Sequence, residues 1–241
     1  MSRLTILGLA IAVLSGLTQV AAGPGRQFGL WDHNFGFQLL EWGGYGGLAA
    51  AGACLIGLFS AWGLGQRRLV AIGVIGALLG ALLAYWPWQA NRAFRKPPPL
   101  FSITTDTTVP PSYVAALALR KEARLPVDYP ANFAAQQQGA YPTIKPVVLK
   151  LSTSQAFDRA LRAARAMPGW TVHAVAPDEG RIEAVAKTLW FGFEDDVVIR
   201  VTASEDGSRI DIRSTGRIGR RDGGANAKRV MEYIKTLNGT I

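Results

Sequence analysis

Three long uncharged runs constrain this chain more than any other feature. Residues 4–22, 42–65 and 69–88 contain no acidic or basic side chain. About 20 consecutive apolar residues suffice for a helix to cross a bilayer core. A helix also satisfies its own backbone polar groups, which lipid cannot do. Before position 91 the only charges are Arg3, Arg26, Asp32, Glu41, Arg67 and Arg68. The rest of the chain carries 22 of the 26 basic and 15 of the 17 acidic side chains, and so most of the net charge of +9. The sequence therefore divides into a membrane anchor over residues 1–90, a Pro-rich linker over 91–100 and a soluble domain over 101–241.

The first run fits either an uncleaved helix or a signal peptide, since it follows Arg3 and ends in Val20-Ala21-Ala22. The anchor thus holds two or three transmembrane helices, and in both cases residues 23–41 face outward. The short link Gln66-Arg67-Arg68 is expected on the cytoplasmic side by the positive-inside bias, which places everything after the third run outside. Arg92, Arg95 and Lys96 pull the other way. Glycines at 43, 44, 46, 47 and 52, and at 73, 76 and 80, give both later runs a small-residue face suited to close helix packing. An ion path normally needs an ionisable residue within the span, so these faces read as packing surfaces. Trp86, Trp88 and Tyr85 suit an interfacial aromatic belt. Cys54 is the single cysteine, so no internal disulfide forms. No cofactor and no metal site are expected.

In the soluble half, Lys96-Pro97-Pro98-Pro99 reads as a stiff spacer. Residues 101–146 read as wrapping segments with one short helix over about 112–124. Regular structure is expected from Pro146 onward. A short strand precedes a helix capped near Ser152, whose apolar stripe is Phe157, Ala160, Leu161 and Ala164. Four strands follow: 170–176, 181–189, 195–203 and 209–215. Ile182, Ala184 and Ala186, then Val197, Ile199 and Val201, then Ile210 and Ile212 alternate toward one side. Asp222 is placed to cap a last helix with Ala227, Val230, Ile234 and Leu237 on its buried face. The predicted class is α+β: an antiparallel sheet in the order β-α-β-β-β-β-α with two helices on one face. The other face, bearing His173, Glu183, Lys187, Arg200, Asp211 and Arg213, is expected to be solvated.

Several motifs together resemble a known family. They are Ile103-Thr104-Thr105-Asp106 with Pro110-Pro111, Tyr141-Pro142, Gly180 to Ala184, Gly192-Phe193, Asp195 to Val201, Gly207 to Ser214, and Arg217 with Gly219, Asp222, Gly224, Asn226 and Ala227. They look like the bacterial domain of unknown function numbered, in words, fourteen ninety-nine, over roughly residues 101–237. The resemblance implies an extracytoplasmic domain, here in the periplasm on the bacterial inner membrane. It implies no activity, cofactor or catalytic residue.

The candidate binding residues are Asp195, Asp196, Arg200, Asp211, Arg213, Arg217, Arg220, Arg221, Asp222 and Asn226. Asp195 and Asp196 are adjacent on a strand, so they point to opposite faces and make a poor acid–base pair. The arginines lead a glycine-bearing loop into a helix N-terminus, where free N–H groups suit an anion. Asp222 competes for those same donors. Ser214 has no His at a motif distance, and no nucleophile elbow surrounds it. The expected function is an envelope membrane protein whose periplasmic domain binds a protein partner or membrane lipid. Nucleic acid is not an expected partner. The alternative is an envelope hydrolase or other enzyme using the Asp/Arg cluster of residues 195–222.

Overall fold

The computed structural model describes residues 2–121 and 123–239. Contacts divide the chain into two units, Met1–Ala93 with Trp190–Gly192, and Phe94–Leu189 with Phe193–Ile241.

The first unit is built from α1 (Ser2–Gln27), α2 (His33–Gly63) and α3 (Arg67–Arg95). All three are long and apolar enough to cross a membrane. The second helix begins well before the uncharged run at 42, because Asp32 caps it by accepting the Phe35 N–H at 2.9 Å. Glu41 therefore lies inside the helix, where it accepts from the Tyr45 hydroxyl at 3.1 Å. The glycine faces are packing surfaces at Gly43, Gly47, Gly73, Gly76 and Gly80, as expected, whereas Gly52 is exposed and packs on nothing among the described residues. A Cβ at Gly47 would stand 2.7 Å from the Gly80 carbonyl oxygen, so α2 and α3 approach too closely for any larger residue. Trp190 and Phe191 belong by contact to this unit, with ring centroids 5.4 Å from Trp86 and 5.0 Å from Phe37 respectively.

The second unit carries six strands: β1 (Ser102–Thr104), β2 (Val147–Leu149), β3 (Trp170–Ala176), β4 (Arg181–Lys187), β5 (Glu194–Ser204) and β6 (Gly207–Gly216). They form one antiparallel sheet in the order β1-β6-β5-β4-β3, with β2 also on β6. Two long helices, α6 (Thr153–Ala166) and α7 (Ala225–Gly239), cover one face. Short helices α4 (Ala116–Leu119) and α5 (Phe133–Ala140) lie in the irregular stretch before β2.

Local sequence explains most of these elements. Ser152 and Gln155 form a reciprocal capping box at the start of α6. The apolar residues of β4, β5 and β6 point into the core together with Ala156, Phe157, Ala160 and Ala164 of α6. From α7, Ala227, Val230 and Leu237 join them, as does Tyr233, which was not among the residues expected on that face. Tyr233 stacks on Trp170 at 5.7 Å and donates to the Ala160 carbonyl at 3.1 Å, so its hydroxyl is satisfied although buried.

Four expectations change. The strand β1 and the helix α5 lie where only wrapping segments were foreseen, and the helix near 112–124 shrinks to α4. The Pro-rich stretch is packed against the domain: Leu100 is buried, and Arg221 Nη1 donates to the carbonyls of Arg95, at 3.0 Å, and Pro97, at 2.5 Å. The hairpin turn Glu205-Asp206-Gly207-Ser208 is expected from its sequence to be exposed throughout, but Ser208 is buried and donates to the Leu151 carbonyl at 2.9 Å, while Asp206 stays exposed.

The fourth change matters most. The second sheet face is covered. Glu183, Asp196 and Asp211 are fully buried and Arg213 nearly so. Tyr113 and Ala116 pack with Val198 of β5 against that face, and Val127 joins them. These charged residues were read as solvated, but Glu183, Asp196, Arg200, Asp211 and Arg213 each find a partner in the covering segment, which removes the usual reason for such a residue to face water. Lys187, at the end of β4, stays exposed as expected.

Candidate functional site

The ten candidate residues do not gather in one place. The pleat separates them, and the segment spanning residues 105–128 supplies partners that spacing along the strands could not reveal.

Asp195 and Asp196 project to opposite faces of β5. On the helix side, Asp195 accepts from Arg229 of α7 at 2.8 Å. Arg229 also donates to Asn226 Oδ1 at 2.6 Å and to Ser214 Oγ at 2.9 Å. Asn226 Nδ2 completes the group on the Phe101 carbonyl at 3.1 Å. Burial pushes the Asp195 carboxyl above its usual range, against the pull of Arg229. The Ser214 hydroxyl donates to the Asn226 amide oxygen at 2.6 Å, which is no base, so nothing there activates a nucleophile.

On the opposite face, Asp196 is held by two guanidinium groups. Arg120 pairs with its Oδ2, and Arg217 contacts Oδ1 at 2.7 Å. Arg217 also reaches Glu194 at 2.6 Å. Burial works against the Arg217 charge, but Asp196 and Glu194 outweigh it and hold its pKa above the ordinary value. Next along the sheet, Arg200 and Arg209 each bridge Asp106 and Asp211, at 2.7 to 3.0 Å. Burial raises the Asp106 carboxyl. The N–H groups of Val109 and Thr108, with Arg209 and Arg200, outweigh that and bring it below the usual carboxylate range. Thr105, Asp106, Thr107, Thr108 and Val109 border an open polar groove closed on its other side by Pro146 and Arg209.

Arg213 and Glu183 fasten the covering segment directly. Arg213 has no carboxylate partner among the described residues. Its Nε donates to Ser102 Oγ at 3.1 Å, its Nη1 to the Pro111 carbonyl at 3.3 Å and its Nη2 to the Val127 carbonyl. The Tyr113 and Tyr129 rings lie 5.2 and 5.7 Å from its Cζ. Burial lowers the Arg213 pKa and pushes that of Tyr129 up to about 12. Glu183 accepts the N–H groups of Val114 and Ala115 at 3.0 Å and of Ala116 at 2.8 Å, and it also pairs with Arg181.

The loop before α7 is mostly structural. Asp222 accepts the N–H of Gly224 at 2.9 Å and of Asn226 at 2.7 Å, so it occupies the donors an anion would use. Arg221 is tied to carbonyls, and among Arg213, Arg217, Arg220 and Arg221 only Arg220 is exposed. Sequence reasoning missed Asp106, Arg120, Glu183, Arg209 and Arg229, which complete these groups. Asp106, Glu183 and Arg209 carried a signal, since they lie in the Ile103 to Asp106, Gly180 to Ala184 and Gly207 to Ser214 motifs, whereas Arg120 and Arg229 lie in none of them. Among the described residues no cluster of His, Cys, Asp and Glu could hold a metal ion.

The family model for a protein of unknown function, DUF1499, matches residues 102–237, more than half of the chain. The chain belongs to that family. The matched span contains all six strands, α6 and α7 up to Leu237, so the DUF1499 domain and the sheet unit are nearly coextensive. Among solved structures, the crystal structure of protein MLL2253 from Mesorhizobium loti matches with 14% identity. That match covers 39% of this chain and 92% of the other, with a TM-score of 0.32. No curated protein matches the sequence.

Proposed function

We propose that this membrane-anchored DUF1499 protein presents its domain in the periplasm of a bacterial envelope as a binding module for a protein partner, without catalysis of its own. One observation carries the reading. The carboxylates and arginines that an enzyme would need are engaged with one another and with the backbone of residues 105–128, and they lie on both faces of the sheet instead of converging on one cavity. The same engagement weakens the lipid reading, because Arg217 and Arg221 of the basic loop are turned inward. The short Arg67-Arg68 link after α2 favours an outward domain.

Two measurements test this. In a Cys54→Ala background, an Asp206→Cys variant should react with a membrane-impermeant thiol reagent once the outer membrane is permeabilised. Reaction only after inner-membrane lysis would refute the location. Crosslinking in intact cells followed by mass spectrometry should recover protein adducts of the domain; adducts to lipid alone would refute the protein-partner reading.

A further inference from the structure

We propose that the free edge of β3 is a self-association surface, on which a second copy of this chain pairs antiparallel through the same strand. This deepens the protein-binding reading and rests on it only in taking the domain to bind protein.

The two ends of the sheet are treated differently. At the β1 end the strand has three residues, and its outer edge is plugged: Thr104 N–H donates to Gln137 Oε1 at 3.0 Å, and Gln137 Nε2 donates to the Thr104 carbonyl at 2.6 Å. The buried amide of Gln137 takes the place of a neighbouring strand there. At the other end β3 has seven residues and closes the strand order with β4 as its one partner among the described residues. It contains neither proline nor charge, the devices that commonly blunt an open edge. Lys187 N–H donates to the Gly169 carbonyl at 2.8 Å, and Thr171 lies opposite Val185. The alternation of an antiparallel ladder then turns the N–H and C=O of Val172 outward. Thr171 and Val175 are exposed beside it. The bulge at His173 divides the edge into two short runs, so pairing is limited in length and reversible.

Charge at the strand's two ends selects the occupant. Arg165 and Lys187 are exposed near its start, and Asp178 and Glu179 are exposed just beyond its end. Glu179 bonds Arg181 yet keeps most of its side chain in water. A twofold antiparallel pairing sets the basic end of each copy against the acidic end of the other, an isologous contact that satisfies both ends at once. Parallel pairing would oppose like charges.

The full chain in detergent or nanodiscs should therefore show a monomer–dimer equilibrium by sedimentation. Val172→Pro removes an outward N–H at an edge where proline is tolerated. Because Val172 also packs on the core, the variant's melting temperature should fall, but the chain should stay folded by circular dichroism and become monomeric. Reversing the acidic end (Asp178→Lys with Glu179→Lys) or the basic end (Arg165→Glu with Lys187→Glu) should weaken each homodimer by about tenfold or more. Mixing the two reversed chains should restore pairing. A wild-type chain that stays monomeric at high concentration, or a dimer indifferent to Val172→Pro and to both reversals, would overturn the inference. A crosslinker placed at Val175 that captures only a different protein would also overturn it, while leaving the protein-binding reading intact.

Discussion

Glu183→Gln should loosen the segment that covers the outer sheet face. The wild-type carboxylate has no solvent exposure and accepts three backbone N–H groups of residues 114–116 in addition to the Arg181 pair. An amide offers one acceptor oxygen, so its NH2 must face at least one of those donors. Leaving a buried N–H without a partner costs about 1–3 kcal/mol. Breaking a buried ion pair costs about 3–5 kcal/mol when the other charge is stranded. Arg181 is not fully stranded, because Glu179 still holds it at 2.7 Å. The sum should therefore fall near the lower end, about 3 kcal/mol. For a domain of this size that lowers the melting temperature by roughly 6–12 °C. Hydrogen exchange on the full chain locates the effect: Val114, Ala115 and Ala116 should lose protection before the strands of the core do. Wild-type protection at those amides in the variant would refute the argument that Glu183 holds the segment in place.

Two further outcomes follow from the same networks. Arg220→Ala should shift stability by less than about 0.5 kcal/mol, as for exposed positions generally, whereas Arg217→Ala should cost about 2 kcal/mol. The second figure stays below the about 3–5 kcal/mol of a fully broken buried pair because Asp196 keeps Arg120; parallel thermal melts distinguish the two variants. Asp106 sets part of the acid response. Its folded-state pKa is depressed, so the native protein binds that proton less readily than the unfolded chain, and the stabilisation is complete above about pH 4 and lost as pH falls through the depressed value. Asp106→Asn should lower the melting temperature at pH 7 and flatten its decline below pH 4, measured by calorimetry across that range.

Much of the architecture could be read without coordinates, because it rests on local patterns. Uncharged runs of spanning length, a strict alternation through Val197, Ile199 and Val201, and a helical stripe through Phe157, Ala160 and Ala164 each point to one kind of element. The opposed directions of Asp195 and Asp196 follow from the pleat alone, and their partners Arg229 and Arg120 lie on opposite sides accordingly. Gln137 shows the limit. Nothing near it marks a glutamine that completes a sheet edge, because its partner Thr104 lies 33 residues away.

The sequence by itself determined that this chain has an apolar helical part and a charged α+β part, since apolar length and periodicity act through neighbouring residues. Only the tertiary structure decided what the charges are for. The same alternation of Arg200, Asp211 and Arg213 with apolar residues describes a solvated face or a covered one, and no local rule separates them. Asp106, Tyr113, Arg120 and Val127 come from a stretch with little regular structure, and they turn that face into an interior by pairing with the strands. A buried charge is tolerated only where its partners converge around it, and that convergence exists only once the chain has folded.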